Sequence, residues 1–312
     1  NSDFYFIHSY FLKNYNKKEV ISFTNYELNF PSSINKNKIF GVQFHPEKSQ
    51  YNGLQIIKNF AERCWLLKKR LIISLTFNDG ILFRTKKFLP DYRYTKNFID
   101  FWTADEIILL DVSRKKKLSE SFLDIIKFFS NNCFVPLSVG GGIKSIEDVN
   151  MLFKTGADKV VLNSSTYNNP GLINKISKNY GSQAIIHSID CKINSKGKHT
   201  VMVNNGSLDT KYSPIEWADI ATQNGCGELL INNIDNDGSL LGYDLNLILS
   251  ITNKFDCPTL ALGGAGNWEH IYQLFKNTNV SGACTQNIYH FTNESLKSAK
   301  NYLKTKQILI RE

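Results

Sequence analysis

The chain has 312 residues, 42% of them hydrophobic and 21% charged, and carries a formal net charge of +9. This length accommodates either two domains or one large α/β barrel. The lysines are scattered and form no basic stripe interleaved with aromatic residues, so we expect no nucleic-acid partner. A basic surface instead suits phosphorylated or carboxylated metabolites.

The six cysteines form no C-x-x-C pair. This indicates a reduced, cytoplasmic protein without disulfides, a metal site or another cofactor. The sequence shows neither a signal peptide nor an apolar run long enough to cross a membrane, so we expect no membrane partner. Because the chain begins with Asn1 and not with Met, we also expect a truncated N-terminus.

Residues 1–64 are predicted to form only part of a domain, because so short a segment buries little core by itself. The predicted elements are strands at Phe4–Tyr10, Val20–Asn25 and Ile39–Phe44 and a helix at about Tyr51–Cys64. Residues 65–69 are predicted to be a short linker, and residues 70–312 a second domain.

In the second domain, short β-branched runs alternate with amphipathic helical stretches, and near-continuous apolar runs are typical of strands covered on both faces. The eight runs are Leu71–Phe77, Glu106–Val112, Pro136–Gly140, Lys159–Ser164, Ala184–Cys191, Glu228–Ile234, Pro258–Gly263 and Gly282–Ile288. Eight strands, each followed by a helical stretch, predict an α/β fold of the (β/α)₈ TIM-barrel type.

An internal repeat supports this fold. At a shift of 122 residues, Glu106 aligns with Glu228, and the glycine pair Gly141-Gly142 aligns with Gly263-Gly264. These matches indicate a duplicated half-barrel.

Four strand ends are rich in glycine or hydroxyl groups, and a barrel carries its reacting groups at such ends. They are Val139–Gly142, Asn163–Ser165, Asp237–Ser239 and Gly263–Gly266. Glycines let backbone N–H groups approach phosphate oxygens. Two such sites in related half-barrels suit a ligand with a phosphate at each end, although tight turns without a ligand would have the same composition.

Asp190 ends the fifth predicted strand, where a carboxylate is well placed for acid/base work or, alternatively, for capping a loop. The first strands of the two half-barrels align at a shift of 114 residues, which pairs Asp190 with Thr76, and the hydroxyl of Thr76 has no useful acid/base pKa. A mechanism with two carboxylates therefore lacks one partner unless Asp79 reaches in from the next loop.

Four charged residues lie at the starts of predicted strands, at the opposite end of the barrel. They are Arg70, Glu106, Lys159 and Glu228. Their alternating signs would allow a ring of ion pairs, but from spacing alone solvated charges at the strand ends are the better explanation.

In the first segment, His45 and Glu47 supply a base and an orienting carboxylate for nucleophilic catalysis, but no suitable nucleophile accompanies them. Cys226 precedes a strand instead of following one, so we expect it to pack in the core. His8 is expected to be structural or interfacial.

Together these features resemble the imidazole glycerol phosphate synthase family, which pairs a glutaminase with a cyclase. Residues 1–64 resemble the C-terminal part of its class I glutamine amidotransferase subunit through Phe6–Tyr10 and His45–Ser49. Residues 70–312 resemble the whole cyclase subunit. The matching cyclase motifs are Val139–Ile143, Gly156–Val160, Ser188–Asp190, Ile234–Gly238 and Gly263–Gly266.

The resemblance implies a partner glutaminase with a Cys-His-Glu triad, of which this chain holds only His45 and Glu47. Ammonia from the glutaminase would enter the bottom of the barrel through a gate of Arg70, Glu106, Lys159 and Glu228. At the top it would react with a bis-phosphorylated ribulosyl intermediate, giving imidazole glycerol phosphate and an aminoimidazole carboxamide ribotide. The family's roles for the mouth residues carry over to an acid/base Asp190 and to phosphate-binding Gly142, Asn163, Ser164, Asp237, Gly238 and Gly264.

The chain departs from the family pattern at several positions. Thr76 replaces the second essential aspartate, Arg84 replaces a lysine, Asn287 replaces a hydroxyl residue, and the loop 204–212 differs. A related branch, which delivers ammonia for amidation of surface-polysaccharide sugars, also lacks the first-strand aspartate, and Thr85–Tyr94 resembles that branch more closely. Cyclisation, ammonia delivery and a non-catalytic scaffold that activates a glutaminase therefore stay open.

Overall fold

The structure, a computed structural model, describes residues 3–7, 9–36, 39–64, 68–94, 104–113, 118–286 and 296–311. The chain divides into two compact units, Asn1–Leu67 and Lys68–Glu312. None of the helices in these ranges combines the length and apolarity that crossing a bilayer requires.

The first unit contains a small antiparallel sheet and one helix. The strands β1 (Val20–Tyr26), β2 (Leu28–Lys36) and β3 (Ile39–Val42) pair in the order β1-β2-β3, and helix α1 spans Gln50–Cys64. Strand β2 was not predicted, because its Asn, Pro and Ser residues hide the apolar alternation that marks a strand.

The predicted strand Phe4–Tyr10 is wrong for the residues that are described there, which form no strand. The backbone N–H of Tyr5 donates to Ser49 Oγ at 3.0 Å, and the Tyr5 carbonyl accepts from the His45 N–H at 2.9 Å. These backbone groups therefore bond to the loop that carries His45 and not to a sheet. His8 lies outside the described residues.

The second unit is a closed barrel of eight parallel strands. The barrel strands are β4 (Arg70–Asn78), β7 (Glu106–Asp111), β8 (Leu137–Gly140), β9 (Lys159–Leu162), β10 (Ile185–Ile193), β13 (Glu228–Asn233), β14 (Thr259–Leu262) and β15 (Gly282–Thr285). Each pairs with the next, and β15 pairs with β4 to close the ring. The predicted (β/α)₈ barrel is thus confirmed.

Helices surround this barrel, and two hairpins extend it. The helices are α2 (Glu120–Asn132), α3 (Ile146–Thr155), α4 (Ser164–Asn168), α5 (Gly171–Tyr180), α6 (Pro214–Gln223), α7 (Leu245–Thr252), α8 (Trp268–Asn277) and α9 (Leu296–Thr305). The hairpin strands are β5 (Ile81–Lys86) and β6 (Leu89–Tyr94) after β4, and β11 (His199–Val203) and β12 (Leu208–Asp209) after β10. Where a helical stretch was expected after the first barrel strand, residues 81–94 form a hairpin, and residues 95–103 lie outside the described part.

Side-chain alternation separates two apolar cores, because successive residues of a strand point to opposite faces. Outward-facing residues such as Leu71, Ile107 and Leu229 pack with the helices in a large core that also buries Cys226. Inward-facing residues form a second, smaller cluster inside the barrel: Ile72, Ile108, Val161, Ile186, Leu230, Leu260 and Cys284.

Gly141, which follows β8, is predicted to be indispensable for the barrel. Its φ is +108°, and a Cβ there would lie 2.1 Å from the Asp111 carbonyl oxygen. Gly141→Ala should therefore lower the free energy of unfolding by about 3 kcal/mol or more, from backbone strain plus a clash. Gly80→Ala is the control, because Gly80 has φ +86° but open space around it, and should cost only about 1–2 kcal/mol. Equal losses in denaturant titrations would contradict the clash.

Candidate active site

A closed ring of four ion pairs lies at the N-terminal ends of the barrel strands. Arg70 contacts Glu106 at 2.8 Å and also pairs with Glu228. Lys159 Nζ lies 3.0 Å from Glu106 and 3.1 Å from Glu228. Ser138 Oγ donates to Glu106 at 2.7 Å, which satisfies a further acceptor position of the most buried member.

The two positive and two negative charges of the ring stabilise one another. Burial by itself would lower the pKa of Arg70, but the charges of Glu228 and Glu106 outweigh it and raise that pKa. Each cation touches both carboxylates, so no member of the ring is buried without a counter-charge. Buried charges are tolerated only in such paired arrangements.

Two strands show how the ring is connected to the mouth of the barrel. Every second residue of a strand points inward, so β9 presents Lys159 and Val161 to the barrel interior, and β13 presents Glu228, Leu230 and Asn232. On each strand a charged residue is followed by a member of the inner apolar cluster. The inward position after it is polar, namely Asn163 just beyond β9 and Asn232 on β13. The interior therefore has a charged, an apolar and a polar level.

Asp190 is the centre of the polar level. Its carboxylate accepts hydrogen bonds from Asn163 Nδ2 at 2.9 Å, Ser188 Oγ at 3.2 Å and Asn232 Nδ2 at 3.2 Å. Burial raises the pKa of Asp190 to about 6, although these three donors oppose the shift and the charge of Asp237 adds to it. A carboxyl with this pKa can both hold and release a proton near neutral pH.

Thr76 lies at the same end of the barrel as Asp190, and its hydroxyl is hydrogen-bonded to Gln286. Gln286, just after β15, donates from Nε2 to Thr76 Oγ1 and to the Phe83 carbonyl, both at 2.8 Å. Asp79 lies at the exposed turn between β4 and β5. Within the described residues, Asp190 therefore has no second carboxylate at the first-strand position.

The residues predicted to bind phosphate fall into two groups with different surroundings. Asn163 and Ser164 contact each other, with Ser164 Oγ donating to Asn163 Oδ1 at 3.0 Å, and Asn163 contacts Asp190. Gly142 and Gly264 follow β8 and β14 with φ of +67° and +105°. Positive φ is typical of the turns whose backbone N–H groups bind anions, and of these two glycines Gly142 is exposed whereas Gly264 is buried.

The hairpin β5–β6 reaches across to the loop after β13. Its turn residues Lys87 and Phe88 have φ of +52° and +63°, the two-residue geometry of a type I′ turn. Their N–H groups donate to the Asp237 carbonyl at 3.0 Å and to its Oδ2 at 3.1 Å. A Cβ on Gly238 would lie 2.7 Å from the Thr85 carbonyl, so the close approach requires glycine. Arg84, on the same hairpin, pairs with Asp91 at 2.8 Å.

The hairpin β11–β12 makes the corresponding contact in the other half-barrel. Asn204 and Asn205 also have positive φ, and Asn205 Nδ2 donates to the Val112 carbonyl after β7 at 3.0 Å. The Asn204 N–H donates to Ser164 Oγ at 2.8 Å. A Cβ on Gly206 would lie 3.1 Å from the Phe88 ring, so the two hairpins meet. Asn287, the other expected difference in this region, lies outside the described residues.

In the first unit, His45 and Glu47 form the pair that the sequence suggested. His45 Nδ1 lies 2.9 Å from Glu47 Oε1. A hydrogen bond to its own backbone N–H and the bond from His45 together lower the pKa of Glu47. The carboxylate can thus hold the imidazole in one orientation.

Two residues of the mouth were missed by the sequence analysis. Asn232 is the register partner of Asp190 on β13, and counting inward positions from Glu228 would have found it. Gln286 follows a strand end without any recognisable motif, so only the three-dimensional structure reveals its contact with Thr76.

The closed barrel, its charged ring and its polar mouth define a (β/α)₈-barrel protein joined to a segment of another domain. That segment, residues 2–64, matches the class-I glutamine amidotransferase family. Residues 78–294 match the family described as histidine biosynthesis protein. The chain belongs to this histidine biosynthesis family, and within it to the HisF group.

Relatives in the HisF group align along their full length. The chain is 35% identical over 255 residues to the imidazole glycerol phosphate synthase subunit HisF of Chlorobaculum parvum. It is 34% identical over 251 residues to that of Bacillus cereus, and 33% over 252 residues to that of Streptococcus mutans. Each alignment covers 79% of this chain and 100% of the relative.

Removing one charge from the ring should lower the stability of the protein. Glu106→Gln leaves Arg70 and Lys159 with a single carboxylate between them, so the free energy of unfolding should fall by about 3–5 kcal/mol. Glu120→Gln, at the exposed start of α2, is the control and should cost less than about 1 kcal/mol. Denaturant unfolding measures both, and a similar small loss in the two variants would show that the ring contributes nothing to stability.

The shifted carboxyl of Asp190 predicts a pH-dependent stability. Because its pKa is raised from 3.8 to about 6, the native state holds this proton more tightly than the unfolded chain. The resulting penalty is absent below pH 3.8 and complete above about pH 6. Asp190→Asn should therefore stabilise the protein more at pH 8 than at pH 4, by at most about 3 kcal/mol.

The comparison between the two pH values cancels any pH-independent effect of the amide. Asp124→Asn, an exposed change on α2, controls for the loss of one negative charge. If thermal unfolding shows the same Asp190→Asn effect at both pH values, the burial argument for Asp190 is wrong.

Proposed function

We propose that this chain is a cyclase-type barrel of the imidazole glycerol phosphate synthase kind. It receives ammonia from a class I glutaminase and uses it on a bis-phosphorylated ribulosyl intermediate, yielding imidazole glycerol phosphate and an aminoimidazole carboxamide ribotide. The observation that carries the proposal is the order of levels along β9 and β13, from the ion-pair ring through the inner apolar cluster to Asp190 and its amide partners.

Each level suits one part of this function. The ring offers hydrogen-bond acceptors and donors to a small polar species at one end of the barrel. The apolar cluster disfavours the charged ammonium ion relative to neutral ammonia, because burying an unpaired charge is costly. Asp190 then exchanges protons with the reacting group at the mouth.

Phosphate binding is proposed for the glycine-bearing ends. Gly142, Asn163 and Ser164 would hold one phosphate, and Asp237, Gly238 and Gly264 would surround the other. The Asp237 carboxylate would not contact a phosphate favourably itself. It accepts the Phe88 N–H, so its proposed role is to hold the hairpin β5–β6 beside that site.

A second candidate is ammonia delivery for amidation of a sugar by a separate enzyme. The contact between Gln286 and Thr76 favours it, since a hydroxyl cannot replace a carboxylate in acid/base chemistry. In this case ammonia would pass through the barrel without any cyclisation at Asp190.

Restoring the missing carboxylate separates the two candidates. We expect the chain to consume the ribulosyl intermediate slowly with ammonium salt, and Thr76→Asp to raise the rate at least about tenfold, because acid/base catalysis contributes roughly 10²–10⁴-fold. The introduced carboxylate could accept the existing Gln286 Nε2–H. Thr76→Asn has the same shape without the charge and should not accelerate the reaction.

Consumption of the intermediate can be followed by absorbance or by chromatography. Asp190→Asn should abolish it in both backgrounds. No consumption by either the chain or Thr76→Asp would rule out the cyclase proposal and leave ammonia delivery as the better account.

A further inference from the structure

Asn163 is held by bonds on several sides, although it lies in a loop after β9. Its Nδ2 group donates to Asp190 Oδ2 at 2.9 Å and to the Ser188 carbonyl at 3.2 Å. Its Oδ1 accepts from Ser164 Oγ at 3.0 Å. Both ends of the amide are thus engaged, and its backbone carbonyl is hydrogen-bonded as well.

That carbonyl is held by Thr166, in the first turn of α4. Thr166 Oγ1 donates to the Asn163 carbonyl oxygen at 2.6 Å and lies 2.9 Å from His187 Nε2. The Thr166 backbone N–H donates to the same carbonyl oxygen at 3.1 Å. A carbonyl oxygen can only accept, and a threonine hydroxyl carries one hydrogen. The hydroxyl hydrogen therefore points to Asn163, and His187 must donate its Nε2–H to Thr166.

The tautomer of His187 follows from these two bonds. The proton is on Nε2, and Nδ1 is a bare acceptor for which the described residues offer no hydrogen-bond partner. His187 is 1% exposed on the outward face of β10, and its ring packs against Trp217 at 5.8 Å between centroids. Burial lowers its pKa to about 3, so the ring is neutral throughout the physiological range.

A continuous chain of hydrogen bonds thus runs from His187 in the outer core through Thr166 and Asn163 to the Asp190 carboxyl in the mouth of the barrel. We propose that His187 and Thr166 are positioning residues, which fix Asn163 so that its amide donates to Asp190. Neither residue hydrogen-bonds to Asp190 itself. The inference rests on the proposed function insofar as Asp190 is its acid/base group, but the geometry and its test require no turnover.

The sequence alone would have assigned both residues to packing. Residue 187 points away from the barrel interior because it alternates with the inward-facing Ile186 and Ser188. A histidine at such a position is more often a satisfied core residue than a functional one. Only the direction of the Thr166 hydrogen bond connects it to the site.

The test measures the ionisation of Asp190 directly in the full-length, unliganded protein, by carboxyl ¹³C NMR across a pH titration. A hydrogen bond to the charged form lowers a carboxyl pKa. Loosening Asn163 should therefore raise the pKa of Asp190 further, by roughly 0.5–1 unit, in Thr166→Val and in His187→Leu. Asn163→Ala, which removes the donor outright, sets the largest shift expected.

Conservative variants should rescue the effect. Thr166→Ser keeps the hydroxyl, and His187→Gln keeps an N–H donor at a comparable distance from the backbone, so both should titrate like the unchanged protein. Thr222→Val is the matched control. Thr222 also bonds helix carbonyls, at 3.0 Å to Ala218, but leads to no residue of the mouth.

Thr166→Val preserves side-chain volume, so it keeps the test decisive even if His187→Leu does not fold. If Asn163→Ala raises the pKa of Asp190 while folded Thr166→Val leaves it within about 0.2 unit of the unchanged protein, the proposal is overturned. It is also overturned if Thr166→Ser shifts the titration as much as Thr166→Val. An inactive cyclase with the expected titration shifts would refute the proposed function and leave the positioning role intact.

Discussion

Closure of eight parallel strands, with side chains alternating between two faces, is the constraint on which the rest of this molecule depends. Closure forces every second residue into a confined interior, where charges must be paired and polar groups hydrogen-bonded. Lys159 and Glu228 meet that requirement in the ring, and Asn163 and Asn232 meet it around Asp190. The same alternation places His187 outside, against the helices, while its neighbours face inward.

Much of this arrangement could be predicted from sequence, because it follows from local patterns. The barrel strands are apolar runs, and Arg70 and Glu106 lie at their starts. Other features depend on contacts between distant residues. The hairpin β5–β6 pairs within itself, yet its turn is fixed by Asp237, about 150 residues away. Gln286 and Thr76 are 210 positions apart in the sequence, and no local sequence pattern predicts their contact.

Thr76 stands where the family has an aspartate, and its buried hydroxyl is stabilised by a hydrogen bond from Gln286. In a buried mouth, an unpaired hydroxyl would lose its hydrogen bonds to water, and Gln286 supplies a donor. Asp190 is treated differently, since its three donors only partly offset burial and leave its pKa near neutrality. The Thr76 hydroxyl is thus hydrogen-bonded and does not titrate near neutral pH, whereas the Asp190 carboxyl does. This asymmetry between related half-barrels is what sets the chain apart from a barrel with two carboxylates.

The proposed function requires that nitrogen reaches Asp190 through the inside of the barrel. It is tested most directly by combining the chain with an active class I glutaminase of the family, [amide-¹⁵N]glutamine, the ribulosyl intermediate and excess unlabelled ammonium. Mass spectrometry then compares the ¹⁵N content of the imidazole product with that of the ammonium in solution. If nitrogen travels through the barrel, the product will be richer in ¹⁵N than the solution. A product with the same ¹⁵N content as the solution would mean that ammonia arrives from outside, which contradicts the account.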